Sequence, residues 1–571
     1  MWAFSGTRAG LSLAFIPPAS IALHIPTLPP VMSAANALQI VEIVCAISEQ
    51  FAIEHHKTLH RGKCRRDLAH FAQVSKAFVD PALRVLWRVL PGVDPLLRLL
   101  PCVGEERVGH PAGVAQIFLK RAFDSKEWQR VQRYAGYVHA IDHVDNIRLD
   151  CGFKGRRRYR RVEPALQQLL ILSTGGEPIL LPRLQRLVWC PTDIGLLVDP
   201  PPFSVIGPSI QHFALHYLPP SEGRSHGLAT VLAAVAALAP GLRTLALYQR
   251  VVQELQSARA HEDALLTIAR CTQLRQLKIL ASQLEVTSRF FDALATLPSL
   301  ESLRLEVSQV DAVAGQRRAL AALETLELTA PDDMIANFIQ FVSLPSLRKL
   351  SLCFDAQDIN DATIHGAWAR RSPAQSWPST VRILRLRFPF AFPGPGTTLV
   401  EVIQPVLELH NLEEFNVEAR LGIFDWSDDD ALLISQAWPR LTAFLLRVDQ
   451  GKEHESRRSL GTFRPSQRAL LHFAEHCPNL EQLVIPCIVD PNAEYLNLTA
   501  PRPHNRLKVL LLAIVDVECE RCFARDLVKL FPNLRADRRP KTHVRFPYHK
   551  DYDSDFWELL REKIELKARD T

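Results

Sequence analysis

Cys519-Glu-Arg-Cys522 is the closest pair of soft metal ligands in this chain of 571 residues. A structural zinc site needs four donors in a tetrahedron, usually as two such pairs. No second pair stands at zinc-ribbon spacing, so these residues read as ordinary thiols. His55-His56 lack a carboxylate or cysteine at ligand spacing and read as part of a solvated loop. The sequence contains no G-x-x-x-x-G-K-S/T or G-x-G-x-x-G phosphate cradle, no G-x-S-x-G nucleophile elbow and no H-E-x-x-H zinc helix. No catalytic residue, metal, cofactor or small-molecule substrate is therefore expected.

Two basic runs, Lys154–Val162 and Arg535–Arg545, could hold phosphates or act as nuclear import signals. Charge runs discriminate poorly, and both read better as solvated loops. With a net charge of only +6, nucleic acid is not an expected partner. The acidic stretch Asp425–Ala431 reads as the start of a helix whose carboxylates complement its N-terminus.

The elements that would position any binding surface come from apolar periodicity. Hydrophobic residues make up 47% and charged residues 22%, enough for a substantial core in an ordinary globular balance. The 11 cysteines are scattered, several of them inside apolar periodic stretches, as reduced buried thiols are. No stretch reaches the roughly 20 apolar residues of a membrane span. The nearest, Leu228–Leu242, is broken by Pro240 and reads as a buried helix with its turn. Prolines at 17, 18, 26, 29 and 30 break the apolar N-terminus, which reads as disordered rather than targeting.

Residues Ala37–Phe51 carry apolar side chains at helical spacing (Ile40, Ile43, Val44, Ile47, Phe51). Two further short helices follow within Asp67–Leu90, with a joint expected at Asp80-Pro81, since Asp caps a helix and Pro suits its first position. Beyond them the pattern L-x-x-L-x-L recurs, at Leu184/Leu187/Trp189, Leu242/Leu245/Leu247, Leu274/Leu277/Ile279 and onward to Leu507/Leu510/Leu512. Weaker copies stand at Val144/Ile147/Leu149 and Ile210/Phe213/Leu215, and the intervals run from the low twenties to about forty residues. Amphipathic stretches separate the copies, many stopped by Pro just before the next one, as at Leu297-Pro298-Ser299-Leu300. A helix stopped by Pro and followed by a short strand is one coil of a βα solenoid, and stacked coils build a continuous core.

The N-terminal part resembles an F-box. Leu38-Gln39-Ile40-Val41-Glu42-Ile43, Asp67-Leu68, Val74-Ser75-Lys76-Ala77-Phe78 and Leu86-Trp87 stand where that motif has Leu-Pro-x-Glu-Ile, Asp-Leu, Val-Cys-Lys-x-Trp/Phe and Leu-Trp. The chain looks like a fungal (basidiomycete-type) F-box protein with C-terminal leucine-rich repeats. Gln39 replaces the usual Pro, and the interval before Asp67 is long, implying an inserted loop around His55–Lys63.

The fold class implied is α/β: a short three-helix F-box-like bundle, then an irregular leucine-rich-repeat βα solenoid. The expected domains are a disordered leader at 1–34, the F-box-like bundle at 35–92 and a helical linker at 93–140. A repeat solenoid at 141–535 follows, then a tail with a capping helix at 536–571. The resemblance implies a non-catalytic substrate receptor of a cullin-based ubiquitin ligase, located in the cytoplasm, the nucleus or both. The F-box would dock on the ligase's adaptor through Leu38, Ile40, Ile43, Val44, Leu68, Val74, Phe78 and Trp87, some of which could instead form the bundle's own core. The repeats would hold an unknown target protein. The x positions of L-x-x-L-x-L alternate away from the core, which puts Arg275, Lys278, Arg304, Arg348, Lys349, Arg382 and Arg385 on the binding face and suggests an acidic or phosphorylated target. The competing reading is a scaffold whose F-box-like helices only cap the solenoid.

Overall fold

A computed structural model describes residues 41–57, 61–107, 115–142, 160–162, 180–189, 205–217, 226–249, 265–280, 284–310, 317–354, 378–388, 398–420, 426–449, 465–490, 503–504, 506–517, 520–534 and 562–563. The chain divides into two compact units, Met1–Arg88 and Val89–Thr571.

The first unit holds α1 (Val41–Lys57), α2 (Arg61–Val74) and α3 (Lys76–Arg88). Helix α1 runs past Phe51 to Lys57, because Ala52–Lys57 contains neither Gly nor Pro to stop it. His55-His56 are therefore helical, and so is Lys63. The stretch His55–Lys63, expected to be an inserted loop, is helical at both its ends, and residues 58–60 lie outside the described residues.

The joint between the later helices is also displaced. Ser75, not Asp80, starts α3: its hydroxyl accepts from the Ala77 N–H at 3.3 Å and its carbonyl from the Phe78 N–H at 3.0 Å. Pro81 sits buried in the second turn, where its ring forfeits only the ladder bond to Ala77. Phe78 stacks on Phe71 with centroids 4.6 Å apart, and Val44, Leu68 and Ala82 complete the core. Ser48 is buried on the same face as Val44 and satisfies its hydroxyl on the Val44 carbonyl at 2.8 Å. Arg88 clasps Glu49 with both terminal guanidinium nitrogens, tying α3 to α1. That bond holds the Glu49 carboxyl below its ordinary range.

The second unit is built on a 14-stranded parallel sheet whose strands follow chain order. It begins at Val89–Leu90 and Ala140–Asp142, continues through Arg186–Trp189 and His212–Tyr217, and ends at Val509–Val517. The first two strands fall in and beside the stretch expected to be a helical linker, 93–140. That stretch does hold helix, at Asp94–Leu97 and Ser125–Ala135, but also an antiparallel hairpin of Val103–Arg107 with Ala115–Leu119. Arg160–Val162, the end of the first basic run, adds a third strand to that hairpin. The copy at Val144/Ile147/Leu149, the second basic run and the leader lie outside the described residues, as does the terminal helix apart from Glu562-Lys563.

Register explains the apolar repeat. Leu277, Leu303, Leu326, Leu350, Leu384, Phe415 and Phe444 pair strand to strand, and each third position pairs with the next in the same way. All are buried. The first apolar position of each copy closes a four-residue turn: Leu300, Leu347, Leu441 and Leu480 donate their N–H to Leu297, Leu344, Trp438 and Cys477. Pro298, Pro345, Pro439 and Pro478 occupy the second place of those turns, where a fixed φ suits the geometry. Helices between strands bury their apolar faces on the other side, as Phe290, Phe291 and Leu294 do from Ser288–Ala295.

Caps join neighbouring repeats. Ser427 and Asp430 form a capping box at the start of the Asp428–Ala437 helix, and burial raises the Asp430 carboxyl pKa. Asp428 instead reaches into the following repeat, accepting from the Ser466 N–H at 2.8 Å and its hydroxyl at 2.6 Å. Replacing Asp428 by Ala leaves both donors without their acceptor and is expected to lower stability by about 1–2 kcal/mol. Chemical denaturation checks this, and Asp428→Asn should recover part of the loss.

Candidate functional site

The alternating pleat sends one side of each strand away from the core. On that face lie Gln276 and Lys278 of one repeat and Ser302 and Arg304 of the next, with Arg275 and Glu301 in the turns just before those strands. Glu324, Thr325 and Glu327 follow, then Arg348, Lys349 and Ser351. All seven basic positions expected on the binding face are there, but they do not converge into a cationic pocket.

Five of the seven are matched by glutamates of an adjacent strand. Arg275 pairs with Glu301 at 3.2 Å, Arg304 with Glu327 at 3.3 Å and Lys349 with the same Glu327 at 3.5 Å. Arg382 pairs with Glu413 at 2.9 Å and Arg385 with Glu414 at 2.8 Å. Lys278 and Arg348 have no ion pair among the described residues. The ladder continues through Arg387, Glu418 and Arg447 on three successive strands, and ends with Lys508 on Glu481 at 2.8 Å. Lys508 holds the Glu481 carboxyl below its ordinary range.

A phosphate-binding site gathers several free guanidinium groups on one point. Here five of the seven cations already face a carboxylate, so the face alternates in sign. Such exposed pairs contribute only about 0–1 kcal/mol each to stability. Their consequence is a charge pattern that a partner must match. A shallow polar depression of about 390 Å³ lies over Lys278, Glu301, Arg304, Glu327 and Lys349.

The two ends of this face differ from its centre. Toward the N-terminus, His216 stacks on Tyr248 at 4.4 Å, and Ala214 and Ala246 lie beside them in register. His212 has its pKa lowered by partial burial and by Arg186 and Arg243. Toward the C-terminus the corresponding positions are Leu445, Val484 and Leu511. Sequence reasoning missed these apolar ends because it followed the basic residues. Their signal was the x position itself, read along the register.

The unit is a leucine-rich-repeat solenoid. The shared register of its leucines decides this, with parallel strands in chain order and a helix-bearing return between many of them. No protein-family model matches the chain, and neither does any curated protein. Among solved structures, internalin C2 from Listeria monocytogenes is 16% identical over 50% of this chain and 92% of its own, with a TM-score of 0.26. A Bacteroides fragilis protein is 11% identical over 71% of this chain and 86% of its own, with a TM-score of 0.24. A leucine-rich-repeat protein of Leptospira interrogans is also 11% identical, covering 71% of this chain and 91% of its own at 0.24. Likeness at these scores adds nothing to the assignment, which rests on the strands themselves.

The eight positions expected to face an adaptor separate into groups. Val44, Leu68 and Phe78 are buried in the bundle's own core, the alternative that the sequence left open for some of the eight. The cause is the three-helix packing, in which Phe78 stacks on Phe71. Val74 is 71% exposed at the end of α2, and Val41, at the start of α1, is 58% exposed. Ile43 and Trp87 are half-buried. Leu38 and Ile40 lie outside the described residues. No described helix is long and apolar enough to cross a membrane.

Proposed function

We propose that this chain is the substrate-recognition subunit of an SCF-type, cullin-based ubiquitin ligase. Its helical unit docks on the ligase's F-box adaptor, and the exposed face of the repeat sheet holds a target protein. The chain itself does no bond chemistry. It raises the target's effective concentration beside a charged ubiquitin-conjugating enzyme, which turns a chance encounter into a near-intramolecular transfer.

The exposure of Val74 carries this reading. A branched apolar side chain that is 71% exposed, in the same motif as the buried Leu68 and Phe78, is where the adaptor contact is placed. Val41 is exposed, and Ile43, Leu86 and Trp87 of the same motif are half-buried. For the target, the alternating Arg and Glu ladder supports a protein of complementary mixed charge.

A scaffold without ligase association is the second reading, favoured by the burial of Val44, Leu68 and Phe78. Co-expression with the adaptor followed by size-exclusion chromatography separates the two. The ligase reading expects co-elution of the wild-type chain, and separate elution of a Val41→Asp, Val74→Asp variant that keeps its helical circular dichroism. A wild-type chain that elutes without the adaptor favours the scaffold.

A further inference from the structure

Helix Gln467–His476 carries His472, Glu475 and His476 in its last turns, away from the face proposed for the target. Residues at i, i+3 and i+4 lie on one side of a helix. Their ligand atoms all fall within 4.8 Å of one another, and the two imidazole centroids are 6.3 Å apart. We infer that these three side chains form a site for a divalent transition-metal ion of the zinc class.

The chemistry of the donors selects the ion. Two imidazoles and one carboxylate suit zinc, whereas calcium and magnesium take oxygen ligands. Three protein donors leave the fourth tetrahedral position to water or to a group from a partner.

The surroundings favour this assignment. His476 donates its Nδ1–H to the His472 carbonyl at 3.0 Å, since a carbonyl can only accept. That bond fixes the tautomer and leaves the Nε2 lone pair free, which is how ligating histidines are commonly held by their surroundings. His472 has its Nδ1 buried without a hydrogen-bond partner, and coordination through that atom would supply one. The helix C-terminus is the negative end of its dipole, which favours a cation there. Glu475 is exposed and the two histidines are half-buried.

The test compares the full-length wild type with a His472→Ala, His476→Ala variant, both stripped with chelator and then titrated with Zn²⁺. The chain has 20 histidines and 11 cysteines, so the difference between the two proteins is the readout, not total binding. The wild type should hold one more equivalent of zinc. Glu475→Gln should keep that equivalent with affinity lowered by about tenfold or more. A Co²⁺ difference spectrum between wild type and double variant should show visible bands without thiolate charge transfer. Equal zinc stoichiometry and affinity in wild type, double variant and Glu475→Gln overturns the inference, as does a thiolate band in the difference spectrum. If the double variant fails to fold, His476→Ala alone serves: loss of the equivalent supports the site, and unchanged binding removes it.

Discussion

Replacing Phe444 by Ala is expected to destabilise the repeat domain by about 3–5 kcal/mol. Its ring lies 5.7 Å from Phe415 in the preceding strand, 4.8 Å from Phe473 in the following helix and 5.7 Å from Trp426. Trp438 packs on Phe415 at 4.6 Å and extends the same cluster. Truncation opens a cavity that three neighbouring repeats share, and aromatic rings held from several sides cannot collapse into it. A solenoid's stability is close to a sum of repeat and interface contributions, so the loss should be local. Hydrogen exchange should show opening of Glu414–Asp490 before the strands at Gln276–Phe354. A change below about 1 kcal/mol would mean that the C-terminal repeats are not packed as described.

The second large effect separates core from surface within one short motif. Phe78→Asp puts an unpaired carboxylate into the core of the helical unit, and should melt α1 to α3 as a group. Val74→Asp, four residues away in sequence, should change stability by no more than about 0.5 kcal/mol, because that side chain is 71% exposed. Limited proteolysis distinguishes them: the Phe78 variant should be cut within 41–88, and the Val74 variant should resist like the wild type. Equal sensitivity would place Phe78 outside the core.

How far the sequence carried this account depends on the range over which each signal acts. The leucine repeat was legible because the described copies each contain their own strand, and period-2 alternation within a few residues defines the buried side. Even the weak copy Ile210/Phe213/Leu215 takes its place in the sheet. The first two strands were not legible. Val89–Leu90 is too short to show alternation, and in Val138/Ile141 the third apolar place is taken by His143. The start of α3 was misplaced because Asp80-Pro81 is a strong local start signal, overridden here by packing of Phe78 one turn earlier.

The charge ladder was hidden for a different reason. Arg385 meets Glu414 only after the strands stack, and the intervening chain length varies between repeats. Basic residues read alone therefore predicted a cationic face, where the structure has one of alternating sign. The adaptor positions were divided by the same tertiary step: apolar character alone cannot say whether Val74 or Phe78 turns inward. His472, Glu475 and His476 are visible as a spacing, in the reverse order of the H-E-x-x-H zinc helix.

The most direct test of the proposed division of labour is hydrogen exchange on the full-length protein with and without the F-box adaptor. Docking through the helical unit predicts slower exchange across 61–88, strongest around Val74, with the strands from Gln276 to Asp449 unchanged and free to take a target. Protection of those strands, or no protection anywhere at saturating adaptor, would contradict the account.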